Sequence, residues 1–314
     1  MNTELTNRAG GDLIGQGLNG ATFESWIKYI DASEKTVKTY TRAIRQFWQW
    51  LIPENHITQP TRADIIAYKK HLIDKGLKPT TVTAYITAVR LFFQWTDVMG
   101  IYPDIAKHLK GAKIDRSHKR DYLNANQCRE VLHEIDRTTE QGKRDFAIVA
   151  LMMTCGLRTI EVSRANIEDL RTLGSDTVLY LQGKGRTERT EFVKVPAPTE
   201  KAIRSYLKAR GQAPDDAPLF ASLSNNSKGE RMSTRSISGI AKRDMQAAGF
   251  DDSRHTAHSL RHTAVTLALI SNGGNIQEAQ QFARHADVST TMCYAHNLER
   301  AQNTCSQRVA DAIF

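Results

Sequence analysis

The sequence predicts a protein of more than one domain: an all-α N-terminal domain, then a mixed α/β, mainly helical C-terminal domain with a small β-sheet. Three observations carry this. The chain has 314 residues, which suits about two domains of roughly 150 residues each. Through residues 22–109 large apolar residues recur at three- and four-residue spacing, the signature of amphipathic helices. At residues 178–182 and 191–195 the period shortens to two β-runs before helical spacing returns.

Each element has its own signals. Residues 1–20 are polar and Gly-rich and read as a flexible lead. Val37, Tyr40, Ile44, Phe47, Trp48 and Leu51 form one helical face that Pro53 closes. Thr61-x-x-Asp64 resembles a capping box and opens a helix over 65–75, stopped at Gly76. Pro79-Thr80-Thr81 starts another, with Val82, Tyr85, Ile86, Val89, Phe92 and Phe93 inward and an end near Gly100. These aromatics could stack on bases, but their period assigns them to a core. The outward faces carry Lys35, Lys38, Arg42, Arg45, Lys69, Lys70 and Arg90, so residues 21–109 read as a small basic helical bundle. Residues 110–121 read as a basic linker, and the second domain runs over 122–314. Its helices are expected at about 126–136, 144–154, 199–209, 234–248, 259–271, 275–284 and 289–294. Residues 222–232 read as a loop, and a last amphipathic helix is expected over 298–312.

Composition narrows the function. The chain is 40% hydrophobic and 25% charged, ordinary values for a soluble globular protein. The longest apolar run, Phe146 to Met153, is far shorter than the ~20 residues that span a bilayer. Neither a signal peptide nor a membrane partner is expected. Cys128, Cys155, Cys293 and Cys305 lie far apart with no CxxC pair, so neither a zinc ribbon nor a disulfide scaffold is expected and a reducing cytoplasm fits. The net charge is +9, and residues 21–120 hold most of the excess, with 17 basic against 9 acidic side chains. Six basic residues crowd Lys107 to Arg120 against Asp115 alone. A basic domain that feeds a basic strap points to a nucleic acid, with solubility as the plainer explanation.

Two motifs lead nowhere. Gly15-x-Gly17-x-x-Gly20 has no strand before it and no βαβ unit around it. Gly183-Lys184-Gly185 is no phosphate-binding loop, because Val178 stands where the first glycine belongs and Gly185 replaces Ser or Thr. His258, His262 and His285 have no carboxylate at H-E-x-x-H spacing, so neither a metal nor another cofactor is expected.

Four segments of the second domain stand out together: Thr154-Cys-Gly-Leu-Arg158-Thr-Ile-Glu161-Val-Ser163, the Gly183-Lys184-Gly185 hairpin tip, His258-Ser-Leu-Arg261-His262, and Ala283-Arg284-His285 followed nine residues later by Tyr294. Singly, Tyr294 reads as a packed or surface tyrosine, Lys184 as a turn lysine and Arg158 as structural. As a set, in this order and spacing, they resemble the tyrosine recombinase (phage integrase) family over residues ~22–300. The resemblance implies that Arg158, Lys184, His258, Arg261, His285 and Tyr294 are catalytic. One position departs from the pattern: the family's His is commonly preceded by Gly, and here Arg284 stands there.

The chemistry makes sense of these residue types. Cleaving a phosphodiester builds charge on two non-bridging oxygens, which two guanidiniums, Arg158 and Arg261, can clamp. The Tyr294 phenol has an ordinary pKa of ~10, so ionising it at pH 7 costs about 4 kcal/mol, to be offset by the cationic cluster and a base. The resemblance gives the base role to His258; His285 would donate a hydrogen bond to a phosphate oxygen, and Lys184, on a flexible stem at the hairpin, is a suitable acid for the departing 5′ oxygen. Glu161 reads as a support for Arg158, and His262 as a residue that packs or orients its neighbours. The product is a 3′-phosphotyrosyl link that needs no ATP.

The resemblance further implies a core-binding (SAM-like) first domain and a catalytic second domain on a double-stranded DNA core site. It implies a homo-tetramer on two duplexes that exchanges strands through a Holliday junction. It leaves room for an accessory DNA-bending or directionality factor, and for a nucleoid-associated cytoplasmic location. The twenty residues before the first domain are too few for an arm-binding domain, which points to the simple type. A DNA-binding regulator without chemistry and a type IB topoisomerase are the competing readings. The six residues argue against the first, and the N-terminal helical domain and lean size against the second.

Overall fold

The computed structural model describes residues 20–57, 59–113, 122–183, 188–302 and 304–314. The chain divides into two compact units, Met1–Arg116 and Ser117–Phe314.

The first unit is helical among its described residues, with α1 Gly20–Tyr29, α2 Glu34–Gln49, α3 Arg62–Asp74 and α4 Pro79–Val98. Ser33 caps α2 by accepting from the Thr36 N–H. The expected cap of α3 forms, with the Asp64 carboxylate accepting from the Thr61 N–H at 2.7 Å. Past α3 the chain turns at Gly76, whose φ of +72° favours glycine. Pro53 does not end α2 outright. It has no N–H to continue the α ladder, and the chain widens into a π turn over Trp50–Glu54, which Asn55 closes by donating to the Trp50 carbonyl at 2.7 Å.

The inward faces are those the spacing indicated. Ile44, Phe47, Leu51, Val82, Ile86, Val89, Phe92 and Phe93 are buried, together with Trp26 and Tyr68. Edge-on ring contacts such as Phe47–Tyr68, 5.0 Å between centroids, knit α2 to α3. Lys35, Lys38, Arg42, Arg45, Lys70 and Arg90 stay exposed, while Lys69 is half-buried. Residues 110–113, expected as linker, lie on this unit: Lys69 donates to the Lys110 carbonyl at 2.9 Å, and Gly111 passes Thr83 so closely that a Cβ would meet its Oγ1 at 2.6 Å.

The second unit is built around α6, Glu140–Cys155, buried along most of its length. α5, Ala125–Glu134, precedes it. Thr139 starts α6 by accepting from the Gly142 N–H, and Gly156 ends it in the left-handed region at φ +60°. A short α7, Thr159–Arg164, follows. The sheet has three strands, not two: β1 Leu170–Leu173, β2 Asp176–Leu181 and β3 Glu191–Lys194, antiparallel in the order β1-β2-β3. Leu179 of β2 stands between Leu170 and Val193 in register. β1 carries no alternating pattern because three of its four residues are exposed, so sequence spacing had nothing to detect.

Helices α8 Ala197–Arg210, α9 Thr234–Ala247, α10 Ala257–Ser271 and α11 Ile276–Ala283 complete the layer. α12 runs unbroken from Val288 to Gln302 and α13 from Cys305 to Ile313, so the helix continues eight residues beyond Tyr294 and does not end directly after it. No residue in 295–302 is Gly or Pro, and nothing there interrupts a helix.

A buried ionic network joins α6 to α9. Asp145 is held by Arg144 at 2.9 Å and by Arg243 at 2.6 Å, and Arg144 also donates to the Ala221 carbonyl. Asp145 and Arg144 are almost completely buried. Asp145→Ala strands a buried guanidinium and should lower stability by about 3–5 kcal/mol. Urea unfolding followed by circular dichroism checks this.

Candidate active site

The centre of the site is a carboxylate. Glu161, in the first turn of α7, is 1% exposed. One of its oxygens accepts from Arg158 Nη1 at 2.8 Å. The other accepts from the Arg158 backbone N–H at 2.7 Å and from Arg284 Nη2 at 3.0 Å. Burial by itself would raise this carboxyl, but Arg284, Arg158 and Arg261 together hold it below the usual carboxylate range. Arg158 is the residue just before α7, and Glu161 fastens both its main chain and its guanidinium. A third of the Arg158 side chain remains open to solvent.

Arg261 comes from α10 and is buried, donating to the carbonyls of Gly156 and Ala283. These bonds aim its guanidinium between the end of α6 and the end of α11. Burial, with Arg158 and Arg284 beside it, pushes Arg261 down to about 9, so it stays charged at neutral pH. Five N–H groups leave donors over for an anion after two carbonyls are served.

His285 follows the end of α11. Its Nδ1 lies 2.9 Å from the Thr291 hydroxyl of α12. Burial, then the charges of Arg261, Arg158 and Arg284, push the imidazole down to about 4, so it is neutral at pH 7. When Thr291 donates to Nδ1, the single proton sits on Nε2 and can be given to an acceptor such as a phosphate oxygen. Tyr294, also on α12, is 3% exposed and packs with Val265, Leu269, Ala279 and Ala283. Its ring lies 4.6 Å from that of His262 and 6.0 Å, nearly parallel, from that of His285. It also bears electrostatically on Arg261.

Lys184 lies outside the described residues. The chain on either side of it is fastened beside the end of α7: Arg164 donates to the Gly183 carbonyl at 2.9 Å, and Arg189 donates to the Arg164 carbonyl and pairs with buried Asp169 at 3.1 Å. Gly183, Thr190 and Phe192 line an open cleft of about 680 Å³ together with Arg158, Arg284 and His285. A second cleft, of about 710 Å³, is lined by Arg158, Arg261 and the exposed His258, and also by Arg235, Ser238 and Lys242 of α9.

Arg158, Arg261, His285 and Tyr294 thus arrive from four separate segments at one place, and His258 opens on the cleft beside them. Sequence reasoning missed Arg235 and Lys242, although basic residues seven apart on an amphipathic helix were a readable signal. It also missed Thr291, for which no local signal exists. Among the described residues, no group of three or more His, Cys, Asp or Glu side chains could hold a metal ion.

Comparison with known proteins agrees with this layout. Residues 121–300 match the phage integrase family, and residues 21–98 match the N-terminal SAM-like domain of phage integrases. The chain is 26% identical over 292 residues to a tyrosine recombinase of Synechococcus elongatus, covering 90% of each chain. It is 27% identical to the tyrosine recombinase XerA of Thermococcus kodakarensis, covering 89% of this chain and 92% of that one. Among solved structures, it is similar to the XerH site-specific recombinase bound to a palindromic difH substrate, with TM-score 0.72, 18% identity and 98% and 91% of the two chains covered. It is also similar to the Tn1549 transposon integrase in complex with transposon right end DNA, with TM-score 0.68, 16% identity and 87% and 92% covered.

The low pKa of His285 has a consequence for stability. The folded protein binds its proton near pH 4 and the unfolded chain near pH 6.5, so the unfolded state takes up more protons between these values. The contribution of His285 is complete above about pH 6.5 and is lost as pH falls towards 4. The melting temperature of His285→Gln should therefore drop less between pH 7 and 4.5 than that of the wild type, which thermal denaturation across this range measures.

Proposed function

The chain belongs to the phage integrase family, whose members are DNA strand-transferring enzymes, and from that premise we propose how this chain performs the reaction. It is a site-specific recombinase that cuts and rejoins duplex DNA through Tyr294. The observation that carries this reading is the convergence of Arg158, Arg261, His285 and Tyr294 in one site built around Glu161.

In the proposed step the Tyr294 hydroxyl attacks a backbone phosphorus. The bond from phosphorus to the 5′ oxygen breaks, and a 3′-phosphotyrosyl link forms. The phenolic proton passes to His258, and Lys184 gives a proton to the departing 5′ oxygen. Arg158 and Arg261 hold the two non-bridging oxygens as their charge grows, and neutral His285 adds a hydrogen bond from Nε2. The link conserves the bond energy, so the 5′ hydroxyl of a second strand can reverse the attack and complete an exchange.

Two rounds on paired sites pass through a Holliday junction. The exposed basic face of the first unit and the strap from Lys107 suit the duplex backbone. Four protomers on two duplexes fit a C-terminal helix α13 with no buried residue, where Val309, Ile313 and the following Phe314 stand exposed for a neighbouring copy. The biological outcome on this reading is integration, excision or resolution of a DNA element, in the cell compartment that holds the DNA.

Tyr294→Phe removes one hydroxyl and leaves the cationic site intact. It should bind its DNA site with unchanged affinity and form no covalent adduct. A protein–DNA band that survives a denaturing gel with this variant would overturn the nucleophile.

Lys184→Ala should cleave ordinary DNA about 10²–10⁴ times more slowly, the usual size of a general-acid contribution. On a site with sulfur in place of the bridging 5′ oxygen most of that loss should vanish, because a thiolate needs no proton to leave. Arg158→Ala should gain little from the same sulfur. A Lys184→Ala defect of equal size on both substrates would make Lys184 a DNA contact and not the acid.

A further inference from the structure

We propose that Arg284 is a positioning residue: its guanidinium ties Glu161, and through it Arg158, to the end of α6 and to the backbone that presents His285. The inference rests on the reading of Arg158 and His285 given above, and nothing in the family pattern supplies it, since glycine is the common residue at this place.

Three observations point the same way. The first is backbone conformation. Arg284 follows the last turn of α11 at φ +54° and ψ +47°, the left-handed region that favours glycine. An arginine here adopts a conformation its Cβ disfavours, and the side chain must return something for that.

The second is where the side chain goes. It does not extend into the cleft towards solvent but lies 6% exposed beneath the site. Nη1 donates to the Phe282 carbonyl at 2.9 Å and the Cys155 carbonyl at 3.4 Å. Nη2 donates to Glu161 Oε2 at 3.0 Å and the Gly156 carbonyl at 3.2 Å. Cys155 and Gly156 close α6, where helix carbonyls lack partners within the helix. One planar fork therefore joins the end of α6, the end of α11 and the start of α7.

The third is the balance of charge. Glu161 faces Arg158 at the start of its own helix, Arg261 from α10 and Arg284 from α11. Arg158 and Arg261 are the two groups assigned to the phosphate. Arg284 is the guanidinium of this set whose two Nη groups are directed to both carbonyls and Glu161. It keeps the carboxylate ionised and seated, so that Arg158 need not supply all of that charge itself.

A direct DNA contact by Arg284 is the rival explanation, because the residue borders the same cleft as Arg158 and His285. Arg284→Gly separates the two, since glycine accepts the backbone conformation and removes the fork. In DNA-free protein carrying ¹³C-labelled glutamate, the Glu161 carboxyl resonance is assigned by its loss in Glu161→Gln and titrated. Its midpoint should rise by about one pH unit or more in Arg284→Gly, as expected when an opposite charge this close is removed. Arg284→Lys should fall between the two, which also guards against a variant that folds poorly.

With DNA at saturation, single-turnover cleavage by Arg284→Gly should fall by about 10–100-fold while the Kd stays within about threefold. Adding it to Glu161→Gln should cost little more than Glu161→Gln alone. An unmoved Glu161 midpoint, or a defect confined to Kd, would overturn the inference in favour of the DNA contact. If Tyr294→Phe still forms adducts, the recombinase reading fails, yet the carboxyl titration still decides the role of Arg284.

Discussion

The second unit is organised around one constraint: a carboxylate, Glu161, that is almost wholly removed from water and must stay ionised. A buried charge is tolerated only with opposite charges and hydrogen bonds around it. The chain meets this with Arg158, Arg261 and Arg284 from three elements and with the main-chain N–H at the start of α7. A dense positive centre follows as a consequence. Burial, with the neighbouring guanidiniums, holds His285 neutral and lowers Arg261, so the ionic state of the site is collective.

That collective state suits phosphoryl chemistry. A surface arginine beside a phosphate is screened and mobile, whereas an arginine braced by a carboxylate or by backbone carbonyls is held in place before the anion arrives. Arg158 keeps an open side towards the clefts while its other side is fastened to Glu161. Arg261 is fastened by the Gly156 and Ala283 carbonyls. Both therefore enter the proposed reaction preorganised. Tyr294, packed against His262 and the apolar residues of α10 and α11, lies in the site of its own chain.

The first unit works on a different principle. Its core is aromatic and closely packed, and its charges remain outside, on the exposed faces of α2, α3 and α4. An electrostatic surface of this kind supplies affinity for a polyanion without chemistry. The cations thus stand in two settings: solvated ones on the faces of the first unit, and braced ones around Glu161 in the second.

Much of this was legible in the residues. Helical spacing located α2, α3 and α4 and their inward aromatics, because amphipathic periodicity is a local property. Gly76 and the Thr61–Asp64 pair act within a few residues of themselves. The set from Arg158 to Tyr294 was singled out by an order and spacing that resemble the tyrosine recombinase family, and the fold brings Arg158, Arg261, His285 and Tyr294 of it together. Strand β1 was not, since its exposed residues leave no pattern, and neither was the continuation of α12 through Gln302. The partnership of Arg284 with Glu161, 123 positions away, and that of Thr291 with His285 depend on how α6, α7, α11 and α12 pack. The sequence by itself determined which side chains could do the chemistry and which faces would be buried, because residue type and period are written locally. Only the tertiary structure decided that Arg284 turns inward while Arg158 stays open, because the direction of a long charged side chain follows from which carbonyls and carboxylates the fold brings within its reach.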